Sequence, residues 1–453
     1  MDTIAAVSTA PGQGAVALVR VSGAGALGVA SRVFRRAKGG AEGLGNLEGV
    51  EPRRAVFGGV WDGERKLDEV LLTYFCGPKS FTGEDVVEIA CHGGTLLTRR
   101  ILELVLRSGA RLAEPGEFTQ RAFLNGKLDL TQAEAVMDLI GAQSDLALRA
   151  AGEQLEGRLG EAIGAMREEL LEVLAHVEAY IDFPEEDIAP DTGRALRGRL
   201  EGVGVRLERL LGTAQQGRVL REGARTVIYG APNVGKSSLL NRFLGFERAI
   251  VSAQPGTTRD TLEEVVMLRG WPIRLVDTAG VRDAGDGVEA AGIGRTRREL
   301  ERADLVLAVV DGSAPREGAL LPEGVGLDGR VVLILNKADL GEHPSWEGVS
   351  GVRFSCVSGA GQEALDGEVE ARLSLGLGGT GEWRVAINAR HQDCLRRALE
   401  RLQAGLDAFG AGLSAEFVAE ELRGALEAVG EVVGRADTEE LLGKIFATFC
   451  IGK

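Results

Sequence analysis

No window of the chain comes near the roughly 18 uninterrupted apolar residues that a membrane-crossing helix needs. The opening Met1, Asp2, Thr3 and Ile4 lack the basic cluster and apolar run of a secretory leader. Cysteine is scarce: the five at 76, 91, 356, 394 and 450 have no paired spacing and outline neither a disulfide framework nor a zinc site, which fits a reducing cytoplasm. Positive charge is in deficit, with 52 Lys and Arg against 67 Asp and Glu for a net −15. That argues against a generally basic, nucleic-acid-coating surface and leaves room for a local patch. Aromatic residues are only 5 %, yet 44 % apolar and 26 % charged residues describe a soluble globular chain rather than a disordered one. At roughly 150 residues per domain, 453 residues make two to four domains. No internal repeat is evident.

What is there falls into three textures. From Thr3 to about Phe123 short apolar runs alternate with turn signals; Ala15–Val21, Val70–Phe75 and Val86–Cys91 read as strands and Leu96–Leu106 as a helix, an α+β pattern. From Leu128 to about Leu211 the period lengthens. Leu155, Leu159, Ile163, Met166, Leu170, Leu174, Val177 and Ile181 keep one apolar stripe on a helix face until Pro184 stops it, as bundle core does. From Thr226 onward buried, β-branched runs (Thr226–Tyr229, Ile273–Val276, Leu305–Val310, Val331–Leu335) alternate with helical stretches and predict a mostly parallel sheet. A glycine-rich link over Gly376–Gly381 closes that unit, and helical texture resumes from Asn388 to Phe449. An α/β domain inserted into a helical domain reconciles the order.

The first strand of that α/β unit runs into GAPNVGKS, Gly230 to Ser237, and the helical Ser238–Phe243 follows. This is the phosphate-loop pattern in its required strand–loop–helix setting. The glycines let N–H groups of Asn233, Val234, Gly235 and Ser238 close around phosphate, Lys236 reaches the β/γ oxygens, and the Ser237 hydroxyl suits Mg²⁺. Asp277, Thr278, Ala279 and Gly280 follow an apolar strand, so Asp277 can hold the Mg²⁺ shell while the Gly280 N–H meets a γ-phosphate. Asn336, Lys337, Ala338 and Asp339 end another strand. The Asp339 carboxylate can accept from the guanine N1–H and 2-amino groups, a pair that adenine lacks. Ser355, Cys356 and Val357 fit the remaining base-contacting loop, with Cys356 where a small alanine is usual. Between these elements Gly256, Thr257 and Thr258 supply a second Mg²⁺ hydroxyl in Thr258. The fold read from these patterns is an α+β N-terminal domain (1–123), a discontinuous α-helical domain (124–219 and 379–453) and an inserted α/β P-loop GTPase domain of Ras-like type (220–378). Where Ras-like enzymes place a water-orienting glutamine after the Asp-x-x-Gly element, this chain has Val281, which can neither donate nor accept. Asp283, Asp286 and Glu289 are the nearby acidic candidates.

Beyond these motifs the chain carries Thr3-Ile4, Pro11-Gly12, Arg20 to Gly23, Phe81 to Val86, His92 to Gly94, Pro115 to Phe118, Arg121 to Asn125, Lys127 to Leu130, Gln132 to Ala135, Arg390-His391 and the ending Phe449 to Lys453. With these it resembles, over its whole length, the MnmE (TrmE) family of GTPases that modify the wobble uridine of certain tRNAs. The resemblance implies a homodimer with a folate-binding N-terminal domain, a split helical domain and an inserted G domain. Acting with the flavoprotein MnmG, such proteins add an aminomethyl or carboxymethylaminomethyl group at C5 of U34. The cofactors implied are GTP, Mg²⁺, K⁺ and a tetrahydrofolate derivative (5-formyl or 5,10-methylene). Arg20, Glu88, Lys127 and Lys453 match the family's folate contacts. Asn233, through its side chain, and Ser252, Gln254 and Thr257, through carbonyls, match its K⁺ ligands. Ala253 and Pro255 complete the nucleotide-contacting stretch. The run around Glu289 favours it over Asp283 and Asp286 as the residue that orients water, and Cys450 becomes a candidate for the tRNA chemistry. Without the resemblance, Arg20 and Lys127 read as surface charges, Glu88 as a solvated strand position, Cys450 as a small buried hydrophobe, and His391 as a fixer of local structure. The alternative, a ribosome-assembly GTPase acting as a binding switch, calls for an appended RNA-binding module; the N-terminal α+β domain and the helical segment ending in Cys450 to Lys453 favour the tRNA-modifying enzyme.

Overall fold

The computed structural model describes residues 2–37, 47, 49–182, 190–246, 263–276, 297–316, 320–321, 329–374, 386–435 and 439–452. Compactness divides the chain into two units, residues 1–137 with 430–453, and residues 138–429.

The first unit is built on seven strands: β1 (Ile4–Val7), β2 (Val16–Ser22), β3 (Phe34–Arg36), β4 (Ala55–Asp62), β5 (Arg65–Phe75), β6 (Val86–His92) and β7 (Arg111–Leu112). Their order is β3-β4-β5-β6-β2-β1-β7, antiparallel except for the parallel β1–β7 pair. Alternation decides the faces. Val19, Val21, Leu72, Val87 and Ile89 turn inward against Val29, Val33, Ile101 and Val105 of the helices Ala26–Val33 and Thr95–Arg107. The chain's last segment belongs to this unit. Helix Glu439–Phe446 packs Leu442 and Phe446, with Phe449, against Leu130 and Ala133. Gly116, at φ 67°, permits this close approach: a Cβ there would lie 2.8 Å from the Phe446 carbonyl oxygen.

The second unit holds β8 (Ala224–Tyr229), β9 (Glu263–Leu268), β10 (Trp271–Val276), β11 (Leu305–Asp311), β12 (Val331–Asn336) and β13 (Val352–Arg353) in the order β13-β12-β11-β8-β10-β9. All neighbours are parallel except β9, which returns antiparallel on β10. The expected stripe does not form one helix. Leu155 ends the helix Asp145–Leu155, Gly157 takes φ 91°, and Arg158–Asp182 begins anew. Leu159, Ile163, Met166, Leu170, Leu174 and Val177 are buried there as the stripe requires, while Pro184 lies outside the described residues. Long helices Pro190–Leu211, Ala389–Gly410 and Ala415–Val432 complete the helical part. The chain enters the α/β sheet through Ala214–Glu222 and leaves it into Ala389–Gly410. Entry and exit touch: a Cβ on Gly217 would meet the Ile387 carbonyl oxygen at 2.4 Å, and Arg221 donates to that same oxygen at 2.7 Å. That contact is the stem of an insertion. His391 is wholly buried and closes a reciprocal cap, its N–H donating to Asn388 Oδ1 and its Nδ1 accepting from the Asn388 N–H.

Candidate functional site

β8 ends at a loop that requires glycine at two positions, Gly230 and Gly235. Gly230 sits at φ 157°, and a Cβ on it would lie 2.2 Å from the Val309 carbonyl oxygen of β11. Asn233 takes φ 63° and is exposed, Val234 is buried as the loop's anchor, and Gly235 takes φ 103°. Lys236 opens the helix Lys236–Phe246, with the Ser237 and Ser238 side chains on its first turn. A helix N-terminus presents unpaired N–H groups and a positive dipole end, so this loop suits a phosphate chain. Lys236 Nζ donates to the Ala231 carbonyl at 2.7 Å, bridging the loop it would share with phosphate.

The elements expected to read the base converge on the same loop. Asn336, 2 % exposed at the end of β12, donates from Nδ2 to the Val234 carbonyl at 2.8 Å and accepts the Cys356 N–H on Oδ1 at 3.2 Å. One buried amide thus ties phosphate loop to base loop, and a Cβ on Gly235 would lie 2.2 Å from its Nδ2. Lys337 is held at φ 66° and donates to Asp311 Oδ2 at 2.6 Å. Burial pushes the Asp311 carboxyl up, but Lys337 and Ser313 outweigh it and hold the group below its ordinary value. Asp339 is exposed and accepts the buried Ser355 hydroxyl at 2.5 Å; Ala338 donates to the Phe354 carbonyl. Cys356 is half-buried, and burial raises its thiol pKa; Val357 is 86 % exposed at the loop's tip. From the helix after the phosphate loop, Arg242 reaches Gln362 and the Cys356 carbonyl and lies 5.9 Å over the Phe354 ring. Sequence reading missed Asp311 and Arg242. A carboxylate closing an apolar strand was the available signal for the first; the second had none.

A second cluster lies in the first unit. Arg20 and Glu88 face each other across β2 and β6, with Nε and Oε1 2.9 Å apart. Val87 and Ile89 are fully buried while Glu88 is half-buried on the opposite face, as alternation requires. Arg20 also lies 5.4 Å over the Phe81 ring and 5.7 Å over that of Phe118. Phe81 heads a loop fixed by its neighbours: Ser22 Oγ meets Thr82 Oγ1 at 2.7 Å and donates to Glu84 at 2.9 Å, and Asn125 donates to the Thr82 carbonyl at 2.7 Å. Lys127 donates to the Pro78 carbonyl at 3.1 Å on the same loop. Beneath runs an ionic net that sequence reading did not foresee. Arg121, 4 % exposed, joins Glu84, Glu117 and Asp2, and Arg111 joins Glu117 and Asp2. Burial pushes the Glu117 carboxyl up, and the two arginines with the Glu114 N–H bring it below its ordinary value. The C-terminal tail reaches this region. Ile451 bridges to Pro115, Gly116 donates to the Cys450 carbonyl, and a Cβ on Gly452 would lie 2.2 Å from the Val7 carbonyl oxygen of β1. Cys450 is exposed, not a buried hydrophobe: Phe449 takes the core position and leaves the thiol outside.

Two family models cover this chain, "MnmE helical domain" over residues 130–450 and "GTP-binding protein TrmE N-terminus" over residues 3–127. The chain belongs to the MnmE family. MnmE proteins similar to it, each described as "tRNA modification GTPase MnmE", include that of Akkermansia muciniphila, 51 % identical over 100 % of this chain and 99 % of its own. Those of Symbiobacterium thermophilum and Clostridioides difficile are 47 % and 42 % identical over the same shares. In this MnmE chain Ser252, Ala253, Gln254, Pro255, Gly256, Thr257 and Thr258 lie outside the described residues. So do Asp277, Thr278, Ala279, Gly280, Val281, Asp283, Asp286, Glu289 and Lys453. Among the described residues no helix is long and apolar enough to cross a membrane.

Proposed function

We propose that the chain is a GTP hydrolase of tRNA modification. It works as a homodimer with the flavoprotein MnmG in the cytoplasm and adds a carboxymethylaminomethyl or aminomethyl group to C5 of U34. Membership of the MnmE family along the full chain supports the reading. The observation that carries it is the Asn336 amide joining the guanine-reading and phosphate loops, because a nucleotide bound there is read at both ends by one rigid frame.

The loop fits its ligands. With Cβ atoms forbidden at Gly230 and Gly235, the loop keeps the tight backbone path that lets N–H groups close on phosphate, and the Ser237 hydroxyl and the exposed Asn233 amide are oxygen donors for hard cations. Ser237 and Thr258 would hold Mg²⁺, and Asn233 with the carbonyls of Ser252, Gln254 and Thr257 would hold K⁺. These cations supply positive charge at the phosphates where other GTPases use an arginine. Lys236 exchanges its bond to Ala231 for phosphate oxygen, Asp339 selects guanine, and Glu289 orients the attacking water in place of the missing glutamine. Arg20, Glu88, Lys127 and Lys453 would hold the folate that supplies the one-carbon unit. Their donor set suits it: a carboxylate for the pterin N–H groups, cations for the ligand's carboxylates, and Phe81 beside Arg20 for a flat ring. The test is hydrolysis by purified protein in K⁺ and in Na⁺, with a search for retained folate. Exchange to Na⁺ should lower the rate by about tenfold or more, some 1.4 kcal/mol of charge stabilisation. Equal rates would remove the K⁺ site, and a protein with no folate affinity would remove the modification chemistry assigned to the first unit.

A further inference from the structure

The chain distributes its negative charge unevenly. The first unit, residues 1–137 with 430–453, holds 19 Lys and Arg against 20 Asp and Glu, whereas residues 138–429 hold 33 against 47. Most of this molecule therefore repels RNA, and an RNA ligand has to be met where a local cluster of cations outnumbers its carboxylates.

Arginines far apart in sequence converge on one turn of the first sheet. Between β4, which ends in Trp61 and Asp62, and β5 the chain turns at Gly63 and Glu64. Arg35 lies 4.5 Å over the Trp61 ring and donates to the Gly63 carbonyl at 2.6 Å. Arg107, closing the helix Thr95–Arg107, reaches Asp62 at 3.3 Å, and Arg32 donates to the Ser108 carbonyl beside it at 2.5 Å. Arg65 and Lys66 open β5 on the other side of the turn. Arg99 and Arg100 extend the group two turns back along the helix, exposed by 66 % and 59 %, with only long contacts of 3.6 and 3.8 Å to Glu103. These seven cations have five carboxylates among them, Asp62, Glu64, Asp68, Glu69 and Glu103, so positive charge is in surplus. Arg32 and Arg35 bond carbonyl oxygens, which orient a guanidinium without neutralising it.

We propose that this arginine-lined face takes the phosphate backbone of the tRNA; the inference rests on the function proposed above. Six of the seven cations are arginines, whose planar forks match phosphate oxygens, and Trp61 and the turn carbonyls hold some of them in advance. A protein partner would need an apolar anchor at the centre of the patch. Trp61 is instead half-buried beneath Arg35.

The experiment measures binding of an unmodified tRNA transcript by the full chain and by the triple variant Arg99→Gln, Arg100→Gln, Arg107→Gln over a range of salt. All three residues are exposed and stand outside the nucleotide loop, so GTP hydrolysis should be unchanged and reports an intact fold. Affinity near 0.1 M salt should fall about tenfold or more. The plot of log affinity against log salt should flatten by about two units, in line with roughly 0.7–0.9 for each phosphate no longer neutralised. Unchanged affinity and slope overturn the surface, also if the variant fails to hold an acidic protein partner instead. A wild-type chain that binds no tRNA at any salt overturns the tRNA reading itself, a result distinguishable from failure of the patch alone.

Discussion

Asp339 stands exposed three residues past the end of β12 with its Oδ1 accepting the Ser355 hydroxyl, so its carboxylate is oriented by the fold itself. Asp339→Asn should weaken GTP by about two orders of magnitude, as two charge-assisted hydrogen bonds of roughly 1.5–3 kcal/mol are removed or inverted. The same change should improve binding of xanthosine triphosphate, because an amide donates to the carbonyl that replaces the 2-amino group. Competition titration of the two nucleotides checks it, and an unaltered preference would mean that Asp339 does not read the base. At this scale the sequence was informative wherever a side chain's role follows from local spacing. Glu88 opposite Val87 and Ile89 needs only the two-residue period of a strand. Its pairing with Arg20, 68 residues away, needs the register of β2 on β6. The Arg121 net is likewise invisible locally, since its partners are Asp2, Glu84 and Glu117.

The phosphate loop is the element on which both ends of the nucleotide site depend. Gly235→Ala would put a methyl 2.2 Å from Asn336 Nδ2 at φ 103°, a backbone region costing about 1–3 kcal/mol without glycine. Nucleotide affinity should fall at least tenfold. Gly245→Ala, in the following helix with nothing within 4 Å, should keep affinity and add about 0.5–1 kcal/mol of stability. Calorimetric titration and thermal melts of the two variants check the contrast, and equal behaviour would contradict the account of the loop. Strands β8, β10, β11 and β12 were legible because β-branched runs bounded by turns have few other fates. The split at Gly157 was not, because the apolar stripe resumes in phase on the far side. The edge strand β9 was hidden by its polar start, Glu263 and Glu264, and by its turn. Arg269 and Gly270 both take positive φ, a tight hairpin whose usual marker is Asn-Gly.

At the scale of the whole molecule, the segment after Gly430 joins the first unit, although its helical texture continues that of the residues before it. Such an association over more than 300 residues leaves no trace in periodicity; only the seating of Phe446, Phe449 and Gly452 reveals it. The tail from Cys450 is therefore part of the region proposed for folate and tRNA chemistry, while the phosphate and base loops belong to the second unit. This separation allows the central claim to be tested in one measurement: mass spectrometry of U34 from cells lacking the chain, supplied either with the full sequence or with one ending before Cys450. The full chain should restore the aminomethyl-type modification. The truncated chain should not, while its purified form keeps K⁺-stimulated GTP hydrolysis. Normal U34 modification by the truncated chain, or in cells with no chain at all, would contradict the account.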